Sequence, residues 1–180
     1  MKILKKILVV IVILIAIPLI VALFVKKDYA VERQVTINKP KQEVFDYLKF
    51  IKNQDNYSVW NAKDPKMKKD YKGTDGTVGF ISSWDSENND VGKGEQEIVK
   101  IVEGERLDAK LRFKKPFEAE DDAYMITEAV GENQTKVKWG FTGAFPYPMN
   151  FMCLFMDMDK EVGKDLETGL ANLKGVLEKK

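Results

Sequence analysis

Phe151, Phe155, Met158, Val162, Leu166, Leu170, Leu173 and Leu177 follow one another at steps of three and four residues. That spacing sets them on one side of a helix. Asp157, Glu161, Lys164, Glu167 and Lys174 fall on the opposite, solvated side. Pro148 lies just ahead, where a fixed φ and a missing N–H suit a helix start. The pattern predicts a single helix over 151–177, about 40 Å long. Asp159 breaks it, falling about 40° from Phe155 among the apolar positions. Gly163 lies one turn further on, and Gly169 also points inward. A carboxylate facing a core needs a partner, and glycine weakens a helix interior, so this edge of the helix is a candidate site.

Upstream, the period changes to two. Leu107, Ala109, Leu111 and Phe113 alternate with Asp108, Lys110 and Arg112, as in a strand with one buried face. Strands are also expected over 29–37, 77–84, 95–102, 119–130 and 135–143. In the fourth of these, Glu118, Glu120, Asp121 and Asp122 are expected to form an exposed, charged strand edge. A helix over 41–50 buries Val44, Phe45 and Leu48, and a break or short second helix ends near Trp60. Asp64, Pro65 and the lysines after them read as an exposed loop. Short turns imply antiparallel neighbours. The fold class expected is α+β: a curved antiparallel sheet wrapped around a long C-terminal helix.

The N-terminus has no such period. From Ile7 to Val25 every residue except Pro18 is apolar and none is charged. Nineteen helical residues span about 28 Å, close to the hydrocarbon core of a bilayer. A cleaved signal peptide would want a shorter apolar region and small residues before the cut, and Ile20, two before Ala22, is not small. A retained single-pass anchor, residues 1–27, is therefore expected ahead of a domain over 28–180. Lys2, Lys5 and Lys6 outweigh Lys26 and Lys27, which Asp28 follows. That bias keeps the N-terminus cytoplasmic and exports the domain.

The chain's net charge of +1 hides an asymmetry: with the five anchor lysines set aside, 24 basic residues face 28 acidic ones, a net of −4. No basic stripe interleaved with aromatics points to nucleic acid. With no histidine and one cysteine, Cys153, histidine metal sites and His-paired nucleophiles are excluded. No metal or cofactor is expected. Asp85, Glu87 and Asp90 lack the spacing of a calcium loop.

In order, the elements resemble the START/SRPBCC superfamily, in particular its polyketide cyclase/dehydrase and lipid transport branch. Val35 to Pro40 with Val44, Phe45 and Leu48 carry the resemblance first. Trp60, Asp64, Pro65, Gly76, Gly79, Trp84 and Gly94 continue it, followed by Glu105 to Leu107 and Phe113. Thr135 to Trp139, Gly169, Leu170, Leu173 and Lys174 complete it. The match spans 29–178. The resemblance implies a helix-grip fold and a cavity between sheet and helix for a hydrophobic molecule or lipid.

Phe80, Trp84, Phe113, Trp139, Phe141, Met152 and Met156 are the expected cavity lining, being apolar and adaptable. Asp159 is the expected polar group, a candidate partner for the Trp139 N–H. Two other functions remain open. One is a cyclase-, dehydratase- or hydrolase-like enzyme using Asp159, with Trp139 or Tyr124 orienting substrate. The other is a protein-interaction module of the cell envelope.

Overall fold

In the computed structural model, which describes residues 2–179, two helices open the chain around one strand. They are α1 (Lys2–Ala22) and α2 (Lys41–Leu48), on either side of β1 (Asp28–Ile37). A 3₁₀ turn (Ile51–Asn56) and a short α3 (Val59–Lys63) lead into six strands. These are β2 (Lys68–Lys72), β3 (Ile81–Asp85), β4 (Lys93–Val102), β5 (Arg106–Lys115), β6 (Ala119–Gly131) and β7 (Gln134–Ala144). A second 3₁₀ turn (Met149–Leu154) precedes α4 (Met158–Glu178). The sheet is antiparallel throughout, in the order β1-β7-β6-β5-β4-β3-β2.

Alternation within each strand divides the sheet into a wet face and an inner face. On β5, Leu107, Ala109 and Leu111 are buried, and their register partners Met125, Ala123 and Asp121 on β6 are buried too. α4 lays Leu166, Leu170, Leu173 and Leu177 against Val31, Ile37, Val137 and Trp139. A second cluster of Ile51, Phe80, Ile98, Leu107 and Ala109 fills the far end of the sheet.

Four expectations are corrected. The helix predicted over 151–177 is broken: α4 begins only at Met158, because the Asp157 side chain caps it by accepting from the Lys160 N–H. Phe151 and Phe155 pack on each other at 5.3 Å instead of on the sheet, and Phe155 is 77% exposed. The lysines after Pro65 form a strand, β2, paired to β3 at the sheet edge. There their charges discourage pairing with another chain. The strand predicted from Thr77 begins at Ile81, since Gly76 and Gly79 take φ of 79° and 87° and turn the chain, leaving Val78 exposed. The acidic run is not an edge: β6 is flanked by β5 and β7.

Candidate functional site

Between the inner face and α4 lies a cavity of about 420 Å³, within the usual size of a small-molecule site. α4 contributes Met158, Val162 and Leu166. Trp60 on α3 meets Trp139 edge-on, with ring centres 6.0 Å apart. Aromatic rings continue along the sheet from Trp84 to Phe113, Phe141, Tyr29 and Phe145, each neighbouring pair 5.5–6.5 Å apart. At this spacing rings attract one another and form a firm wall. Lys115, Pro116, Phe117 and Ala119 form an exposed rim on the β5–β6 loop.

The glycines of α4 acquire a reason. A Cβ on Gly169 would stand 2.8 Å from the Trp139 ring, and one on Gly163 2.2 Å from the Arg33 guanidinium. Their bare backbone gives these two side chains room to lie against the helix.

Of the expected lining, Trp84, Phe113, Trp139 and Phe141 do line the cavity. Phe80 does not. It is buried in the second cluster, with Tyr71 stacked on it at 6.1 Å. Met152 and Met156 are exposed, because the 3₁₀ turn and the break after it carry them away from the helix face. Asp159 also lies outside. Its carboxylate takes two 2.9 Å hydrogen bonds from the Arg33 guanidinium, and 62% of the side chain is exposed. The guanidinium holds its pKa below the usual carboxylate range, the reverse of what a general acid requires. Asp159 is therefore not the partner of Trp139. Asp159→Asn is expected to leave cavity occupancy unchanged, as read by quenching of tryptophan fluorescence. Tyr124, offered as a substrate-orienting group, is on the wet face. There its hydroxyl donates to Glu32 at 2.7 Å, and burial with this bond pushes its pKa up to about 12. No group of three potential metal ligands occurs among the described residues.

Polar residues also line the cavity, among them Gln54, Asp55, Ser58, Gln96 and the lysines Lys69 and Lys115; Asp121 is the buried carboxylate of the set, 5% exposed, with no hydrogen-bond partner for Oδ1. Burial raises its pKa, a hydrogen bond from the Tyr29 hydroxyl to the carboxyl opposes the rise, and Asp122 adds to it. Burial, and then Asp121 itself, likewise push the Tyr29 phenol up. Sequence reasoning missed both residues. One signal was available: Asp121 has the same parity as Ala123 and Met125, on the buried side of its strand.

No family model matches the chain, and no characterised protein matches it significantly in sequence. Solved structures do match. A protein from Nitrosospira multiformis is 14% identical with a TM-score of 0.58, over 82% of this chain and 94% of that one. Ara h 8.0201 is 14% identical with a TM-score of 0.56, over 85% and 99%. The chain has the helix-grip fold. DynU16, a protein of the dynemicin biosynthetic locus, aligns at 13% identity and a TM-score of 0.56 over 83% of this chain and 47% of its own. At such identities the likeness concerns the fold alone.

Proposed function

We propose that the chain is a membrane-anchored binding domain that holds an apolar or amphipathic small molecule, lipids included, without covalent chemistry. The observation that carries this reading is the 420 Å³ cavity, walled mainly by aromatic and aliphatic side chains. Polar side chains supply a minor part of its surface, and Asp159, the expected acid of an enzymatic alternative, lies outside it.

Membrane attachment draws on α1 and on its join to the domain. α1 is long and apolar enough to cross a bilayer, and its side chains are exposed along almost the whole length. Asn150, fully buried, donates from Nδ2 to the carbonyls of Ala22 at 2.6 Å and Val25 at 2.9 Å. The last carbonyls of a helix have no partner within it, so this amide serves as their cap. Removal of α1 as a signal peptide would take away the Ala22 carbonyl, one of the two partners of this buried amide, which favours retention. The positive-inside bias then leaves the N-terminus in the cytoplasm and the domain outside.

The clamp also bears on ligand entry. Phe145, a cavity residue, donates its N–H to Lys27 at 3.0 Å, so this end of the cavity lies at the foot of α1. Met149, Met152, Leu154 and Phe155 are exposed on the segment that carries Asn150, and Phe117 is exposed on the cavity rim. A bilayer surface covering these side chains would let an apolar ligand pass between lipid and cavity without crossing water.

Extraction of the full chain, purified gently in one detergent of known mass, tests the reading. Mass spectrometry is expected to find a near-stoichiometric apolar species. Ala123→Trp, which fills the cavity from β6, is expected to lose that species while keeping its circular dichroism. The same extract from both proteins would overturn the proposal.

A further inference from the structure

Three strands place a tyrosine, a glycine and a carboxylate side by side on each face of the sheet. On the wet face they are Tyr124, Gly140 and Glu32, where a Cβ on the glycine would strike the Tyr124 ring and the hydroxyl reaches Glu32 at 2.7 Å. That carboxylate is satisfied by its tyrosine and by water. On the inner face the trio is Tyr29, Gly143 and Asp121. Tyr29 pairs with Gly143, and a Cβ there would stand 1.8 Å from Asp121 Oδ1 and 2.5 Å from the Tyr29 hydroxyl. The missing side chain therefore brings the carboxyl and the hydroxyl together over β7, in the cavity wall. Here there is little water, and Oδ1 has no partner. An acceptor buried without a donor is unfavourable, so almost every such atom in a folded protein is paired by something.

We propose that the Asp121 carboxyl is a polar recognition point of the cavity, taking a hydrogen bond from an O–H or N–H group on an otherwise apolar ligand. This inference rests on the ligand-binding reading above and names its ligand class: hydrophobic alcohols, phenols or amines, rather than ethers or carboxylates. A ligand carboxylate would meet another carboxyl group at this point of the wall. Tyr29 acts as a positioning residue, its hydroxyl lying beside the carboxyl over Gly143 and holding it in the cavity wall. The raised pKa of Asp121 fits a group kept largely from water until a ligand covers it.

The chain's three tryptophans, Trp60, Trp84 and Trp139, all line the cavity, and none lies in α1. Bromine quenches tryptophan on contact, so brominated chains report entry directly. The full chain in nanodiscs is titrated with 11-bromo-1-undecanol, 11-bromoundecylamine, the methyl ether of the alcohol, and 11-bromoundecanoate, each scaled to its mole fraction in the lipid. The alcohol or the amine is expected to quench at about tenfold lower mole fraction than the ether, one good hydrogen bond's worth of preference. The carboxylate is expected to be weakest. Asp121→Leu is expected to bind the ether as before, which shows that the cavity is intact, and to lose the preference for the donor ligands. Equal binding of ether, alcohol and amine by the wild-type chain would overturn the role of Asp121 and leave the cavity reading standing. So would a preference that survives Asp121→Leu. If no probe quenches, the ligand-binding reading fails as well.

Discussion

Asn150→Ala is expected to free α1 from the domain while both remain folded. The amide donates to the carbonyl of Ala22, at the end of α1, and to that of Val25, three residues beyond, and Ala22 is fully buried. Alanine supplies no donor, and each carbonyl left buried and unpaired would cost about 1–3 kcal/mol. Relief is available only if the helix end swings out to water, so the join opens. The domain's own core, between α4 and the sheet, contains neither residue. Spin labels at Lys5 and Glu132 in a Cys153→Ser background, in nanodiscs, should give a narrow distance distribution with Asn150 and a broad one with alanine. Quenching by 11-bromo-1-undecanol at equilibrium should persist, while its uptake from the bilayer slows because the rim no longer rests on the lipid. An unchanged narrow distribution would mean that apolar packing alone holds α1, and the clamp would lose its role.

Elements governed by local periodicity were legible from residues alone. The alternation of Leu107 to Phe113 marks a strand with one wet face, and the structure places it mid-sheet. The stripe from Val162 to Leu177 is the buried face of α4. Legibility failed where a non-local partner decided the outcome. Phe151 and Phe155 are in phase with that stripe, yet the cap at Asp157 and the pull of Asn150 toward α1 break the helix before it. Counting angles from Phe155 therefore turned Asp159 inward. In the folded chain it faces Arg33, which is 126 residues away in sequence. Met152 and Met156 were misplaced by the same break. Four of the seven expected lining residues lie at the cavity, since Trp84, Phe113, Trp139 and Phe141 sit on strands whose parity does not depend on the helix. Asp121 was hidden for a different reason. Its acidic neighbours made the whole run look wet, although alternation puts only Glu120 and Asp122 outside.

Asp121→Asn is expected to raise the melting temperature, by an amount that grows with pH. In the unfolded chain the carboxyl titrates near the ordinary value, about 3.9. In the folded chain burial raises its pKa, Asp122 adds to that, and the Tyr29 hydroxyl and Lys110 oppose it. Tyr29, which faces it from β1, carries its own raised pKa and has Cys153 beside it, so neither the phenol nor its surroundings supply a cation. Below the unfolded pKa both states are protonated and the group does not affect folding. Above it the unfolded chain releases a proton that the folded chain still holds, so stability falls with rising pH until the folded carboxyl ionises. Beyond that point the loss is constant. Asparagine has the same shape and does not titrate, so the difference between the two curves isolates this group from the other carboxylates that titrate in the window. The gain should be close to nil at about pH 3.5 and should grow with pH until the folded carboxyl ionises, after which it should stay constant. A lower melting temperature for Asp121→Asn at neutral pH would mean that a donor already stabilises the carboxylate in the free protein. Saturation with 11-bromo-1-undecanol should narrow the gap between the two proteins, since the ligand hydroxyl then donates to the carboxyl in the cavity wall.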